Sequence, residues 1–121
     1  MIRGIRGAIT ADDNSEQSIV ESTLSLLRVM IKENDILPEE VASVFISATP
    51  DLNASFPAKA LRSLEGWTFV PVMCMQEMPV PHSLEKCIRV MIHVNTSKKQ
   101  EDIHHVYLKG AKHLRPDLNR T

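Results

Sequence analysis

The stretch KCIRVMIHV, residues 86–94, decides the reading of the fold. Ile88, Val90, Ile92 and Val94 fall on one side of a two-residue period; Cys87, Arg89, Met91 and His93 fall on the other. Branched residues at alternate positions predict a strand, assigned over residues 85–94, with one wholly apolar face. Its second face carries a guanidinium, Arg89, between Cys87 and Met91. A charge so placed must be paired or solvated. Upstream, CMQEM puts a carboxylate, Glu77, in similar sulfur-rich and apolar company.

Working outward, Ile2–Thr10 predicts a first strand. Gly4, Arg6, Ala8 and Thr10 share one face, and Arg3, Ile5 and Ile9 the other. Gly4 and Gly7 mark places where another group can approach the backbone closely. ADDNSEQ signals helix entry, with Asn14 or Ser15 as cap and Glu16 in the first turn. Val20, Leu24, Leu27 and Ile31 then recur at helical spacing, and the helix is expected to end near Asn34. Residues 41–49 predict a second strand closed by Pro50, and residues 55–64 a short helix admitting Pro57 in its first turn. Residues 67–73 predict a third strand, at an edge or a bulge because Pro71 cannot donate to a ladder. Residues 104–108 predict a last short strand. The order β-α-β-α-β-β-β implies one domain over residues 1–121. Its class is α/β (α+β), a mixed sheet with helices on one face. Several strands keep apolar residues on their second face, so a partner subunit is expected to cover it.

Bulk properties exclude several function classes. Hydrophobic residues at 43% and charged residues at 24% describe an ordinary globular chain, not a disordered one. A net charge of −1 with a pI of about 6.5 provides no general basic field for nucleic acid or an anionic membrane. Cys74 and Cys87 lack zinc or redox spacing. There is no secretory apolar segment after Met1, and no run approaches the roughly 18 apolar residues of a membrane span. A cytoplasmic protein with reduced thiols is expected, with no nucleic-acid or membrane partner.

The candidate chemistry is sparse. Arg89 is either a structural arginine paired with an acid or an anion site, for which its fork of parallel donors is suited. Glu77 is its salt-bridge partner or an acceptor for a ligand hydroxyl, on a loop stiffened by Pro79 and Pro81. Arg6 lies mid-strand between glycines. Phe56, Lys59 and Arg62 share one face of the short helix, a pattern that also describes plain solvated surface. Tyr107 offers a hydroxyl donor or a satisfied core tip. Arg115 closes over a site or stays in solvent. Cys74 has no activating base nearby in sequence, and the histidines form no metal spacing. No Gly-rich phosphate loop or nucleophile elbow is present. What remains is binding, or catalysis by position and charge alone.

Five segments together carry a resemblance: IRGIRGAIT, SATPDLNASFPAKALR, GWTFVPVMCMQEM, KCIRVMIHV and HVYLKGAKHLRPDL. In this order they resemble the monofunctional chorismate mutases of the AroH class, across nearly the whole chain. The resemblance implies a homotrimer of α/β subunits, a pseudo-barrel with active sites at subunit interfaces. The implied reaction is the cofactor-free [3,3] Claisen rearrangement of chorismate to prephenate, in phenylalanine and tyrosine biosynthesis by the shikimate pathway.

By the same resemblance, Arg89 donates to the ether oxygen and side-chain carboxylate of chorismate. Arg6 and Tyr107 hold that carboxylate, and Glu77 accepts from the ring hydroxyl beside Cys74. Phe56, Ala58, Lys59, Arg62, Val72 and Met73 line the site, and Leu114 and Arg115 close it. Met73 departs from the small polar residue usual there, which alters the ring pocket and leaves the charged set intact. The competing readings are a trimeric imine or enamine hydrolase and a non-catalytic small-carboxylate binder of the same architecture. The paired CMQEM and KCIRVM blocks favour the mutase over both.

Overall fold

The computed structural model describes residues 1–114. Five strands form one sheet: β1 (Ile2–Thr10), β2 (Val41–Ala48), β3 (Val72–Gln76), β4 (Cys87–Asn95) and β5 (Val106–Leu108). Their spatial order is β3-β2-β4-β1-β5. β4 pairs antiparallel with β1 and β2, while β3 runs parallel to β2 and β5 parallel to β1. The opposed strand, β4, therefore lies at the centre. Arg89 pairs with Ala8 on one side and Ser47 on the other.

One α-helix, α1 (Glu16–Asn34), links β1 to β2. Ser15 caps it by accepting the Ser18 backbone N–H at 3.1 Å. Asp35 ends it in the left-handed region, with its N–H on the Ile31 carbonyl. The helix buries Ile19, Leu26, Leu27 and Met30 against Ile5, Ile9, Ile46, Ile88, Val90 and Ile92. A 3₁₀ segment, Pro57–Ser63, adds Ala60 and Leu61 to the same layer. The expected mixed sheet with helical cover on one face is thus present. Burial of this strip is the main drive for the fold.

Gly7 shows how closely the layers meet. A Cβ there would lie 2.5 Å from Met30 Sδ and 3.1 Å from Leu26 Cδ1. The close approach read from this glycine is therefore made by the helix.

Among the described residues, the second face of the sheet has one small buried cluster, Ala8, Cys87, Tyr107 and Ala111. Elsewhere it leaves Phe45, Met73 and Met75 open, Met73 at 62%. On the rim, Phe69 is 96% exposed.

Three elements differ most from the sequence reading, and β4 starts two residues later than expected, at Cys87. The short helix is a 3₁₀ segment over Pro57–Ser63, because its proline start and few turns favour tighter bonding. The third strand is Val72–Gln76, not residues 67–73. Trp67 instead buries its ring in a turn whose backbone bonds run Trp67 to Leu64 and Val70 to Trp67. Pro71 sits just before that strand, where its carbonyl accepts the Val44 N–H at 2.9 Å, and the strand is an edge, as its proline suggested. The last strand is shortened to Val106–Leu108, since Asn34 takes over the His104 backbone with bonds to both its N–H and its carbonyl.

Candidate active site

The centre of the second face is built by β4 register. Alternation sends Ile88 and Val90 into the core and Arg89 the other way. Glu77 lies just past β3, and its backbone N–H is held by the Ala48 carbonyl at 2.9 Å. This brings the carboxylate to Arg89, with Nε 3.1 Å from Glu77 Oε2. The contact is Coulombic: Nε is buried without an aligned hydrogen bond among the described residues. The Arg89 side chain keeps 43% of its surface, against 28% for Glu77. Such a partly exposed contact does not consume the guanidinium's capacity to bind an anion. Two more donors fix the carboxylate. Ser47 Oγ donates to Oε2 at 3.1 Å and the Met78 N–H to Oε1 at 3.2 Å.

Arg6 enters from β1. Its Nε donates to the Tyr107 hydroxyl at 3.1 Å, and its backbone N–H donates to His105 Nδ1 at 3.0 Å. Arg6, Arg89, Tyr107 and Leu114 line a common cavity of about 230 Å³. Two guanidiniums and a phenol converging on one small space form an anion-binding arrangement.

The remaining candidates line a separate cavity of about 760 Å³, at the β3 edge. Phe56, Ala58, Lys59, Arg62, Val72, Met73 and Cys74 all face it, with Trp67 and Thr68 in addition. The chain thus brings together two groups of candidate residues and keeps them apart from each other. Lys59 is occupied here by Glu16, with Nζ 2.8 Å from Oε2. The Lys59 ammonium, through hydrogen bond and charge, lowers the Glu16 carboxyl below its ordinary range. Burial pushes the Cys74 thiol up, against a smaller opposite pull from the Ala58 backbone. Burial likewise raises Cys87, with the neighbouring Arg89 charge opposing it. Neither thiol is an activated nucleophile. Arg115 lies outside the described residues. Among the described residues, no cluster of three metal-ligating side chains occurs, and no helix is long and apolar enough to cross a membrane.

Ser47 escaped the sequence reading. It is one of several serines, and only the β2–β4 register puts it opposite Arg89. His105 escaped for the same reason, since its contact to Arg6 spans the parallel β1–β5 pair. The Thr49–Asp51 staple was visible only as part of SATPDL. Thr49 Oγ1 donates to Asp51 Oδ1 and accepts the Cys87 N–H, while Asp51 Oδ2 accepts the Lys86 N–H. It ties the end of β2 to the start of β4, two residues before Arg89.

Residues 2–118 match the family described as chorismate mutase type I. A chorismate mutase AroH of Bacillus subtilis is 54% identical over 121 residues, covering 100% of this chain and 95% of the relative. The chorismate mutase AroH of Thermus thermophilus is 44% identical over 119 residues, covering 98% and 97%. A solved chorismate mutase from Clostridium thermocellum superposes with a TM-score of 0.88 at 51% identity, over 91% of this chain and 97% of the other. With its sheet order, its converging arginines and a match along nearly its whole length, the chain belongs to the type I chorismate mutase family.

Proposed function

We propose that this chain, acting as one domain over residues 1–121, isomerises chorismate to prephenate by position and charge. The ether carbon–oxygen bond breaks as the new carbon–carbon bond forms. No proton leaves and no covalent enzyme intermediate is required. Chorismate must first be held in a compact conformer with its two ends in reach, which is a positioning effect. As the bond stretches, negative charge gathers on the ether oxygen. Arg89 donates to that oxygen and binds the transition state more tightly than the substrate. By analogy with single oxyanion donors, this contributes about 3–4 kcal/mol in a water-poor site.

Arg6 and Tyr107 hold the side-chain carboxylate, and Glu77 accepts from the ring hydroxyl, which also meets Cys74 of the partner subunit, a residue of the same cavity as those that follow. Phe56, Ala58, Lys59, Arg62, Val72 and Met73 come from a neighbouring subunit, with Leu114 and Arg115 closing the site. The assembly is a homotrimer working in the cytoplasm. Two observations support it: the candidate residues line two separate cavities within one chain, and the apolar second face is left open. A second copy placing its β3 edge against the Arg6–Arg89 cavity would join the halves and cover that face.

The observation that carries the reading is Arg89 itself. It sits on the central strand, faces a cavity with a second arginine, and touches its acid without an aligned bond. The test is to follow chorismate loss with purified protein and identify prephenate as product. Chorismate bound but not consumed would refute the proposal.

A further inference from the structure

Glu77 poses a problem for the proposed reaction. A carboxylate 3.1 Å from Arg89 Nε can rotate into a bidentate pair, which is the preferred geometry between these two groups. Such a pair would neutralise the guanidinium that the ether oxygen needs. Two neutral donors hold the carboxylate off this geometry. Ser47 stands directly across the β2–β4 ladder from Arg89. Its Oγ donates to Oε2, the same oxygen that Arg89 Nε approaches, while the Met78 N–H holds Oε1. Nε is left without hydrogen-bond alignment. The carboxylate is tethered at both oxygens by neutral donors, and the arginine is kept as a neighbouring charge.

Resting on the reading of Glu77 and Arg89 given above, we infer that Ser47 is a positioning residue, which anchors Glu77 so that Arg89 stays available to substrate. Removing its hydroxyl frees Oε2, and the carboxylate swings into a fork with the guanidinium. Substrate must then break that fork before Arg89 can reach the ether oxygen. The loss falls on kcat more than on KM, because the Arg89 contact matters most in the transition state.

The kinetic experiment uses the full chain and four variants: Ser47→Ala, Ser47→Thr, Glu77→Ala and the double variant of Ser47→Ala with Glu77→Ala. Ser47→Ala is expected to lower kcat about tenfold with KM within about threefold, the scale of one hydrogen bond to a charged group. Ser47→Thr, which keeps the hydroxyl, recovers most of the rate. In the Glu77→Ala background the Ser47→Ala change adds nothing, because the group it restrains is gone. Wild-type rates in Ser47→Ala, or the same loss in both backgrounds, would overturn the inference. A readout independent of turnover is the Arg89 side-chain Nε–H resonance of unliganded protein, assigned with Arg89→Lys. Slower hydrogen exchange there in Ser47→Ala than in wild type is expected, as an aligned bond forms. Unchanged exchange rejects the role of Ser47, whereas a wild-type chain that makes no prephenate rejects the reaction and leaves the exchange test standing.

Discussion

At the scale of single residues, the site is a balance of charges on one sheet face. Two arginines line one cavity, and a restrained carboxylate lies against one of them. Glu77→Gln keeps the shape and removes the charge; kcat/KM is expected to fall about ten- to a hundredfold in steady-state assays, the range for one charged hydrogen bond in a partly enclosed site. The thiols make a second prediction. Because burial raises Cys74, little thiolate exists at neutral pH, and the fraction grows only as pH rises past the ordinary thiol value. Alkylation by iodoacetamide should be slow at pH 7 and accelerate steeply in alkali. Cys74→Ala should keep kcat within about threefold, since the proposed chemistry asks for no nucleophile. Fast labelling at neutral pH, or loss of turnover on par with an Arg89 variant, would point to covalent catalysis.

At the scale of elements, the parts written in a repeating pattern were legible and the parts set by pairing were not. The alternation of Ile88 to Val94 against Cys87 to His93 gave both the strand and the outward aim of Arg89, and β4 follows it. The Ser15 cap and the Leu24–Leu27–Ile31 spacing gave α1 within a residue at either end. FVPVMCMQEM has no clear alternation, so its pattern places β3 too early and counts Trp67 in a strand, whereas the ring anchors a turn. The proposed roles of Arg6 and Glu77 rest on the family resemblance, since spacing alone left them open. Ser47 and the Thr49–Asp51 staple depend on which strands are neighbours, information that a local pattern does not hold. That staple is open to test. Thr49→Val leaves the buried Cys87 N–H without its acceptor, and should cost about 1–3 kcal/mol in urea unfolding, the desolvation penalty of one buried donor. It should also lower kcat by loosening the strand start beside Arg89. Gly7→Ala should cost a similar 1–3 kcal/mol or so, since the added methyl must displace the fully buried Met30 and Leu26.

At the scale of the whole molecule, the described residues of a single chain hold the candidate substrate-binding groups in two cavities and leave apolar side chains of one sheet face open. Both features follow if the working unit is the homotrimer. Light scattering should give a particle near three times the 13.6 kDa chain. Met73→Lys or Phe45→Glu should shift it towards monomers and abolish turnover together, since a charge buried at such a contact lacks a partner. Mixing offers a sharper check. Arg89→Ala and Arg62→Ala chains, each impaired alone, should regain activity when refolded together, because some mixed sites then hold both arginines. No recovery would mean that each chain completes its own site.

The claim on which the account turns is that an oriented guanidinium at position 89 stabilises the breaking ether bond. The direct measurement is kcat and KM for chorismate in Arg89→Lys against wild type, with folding checked by circular dichroism. The account predicts kcat down by about a hundred- to a thousandfold with KM much less changed, because lysine keeps the charge and loses the fork. An Arg89→Lys enzyme turning over chorismate at close to the wild-type rate would contradict it.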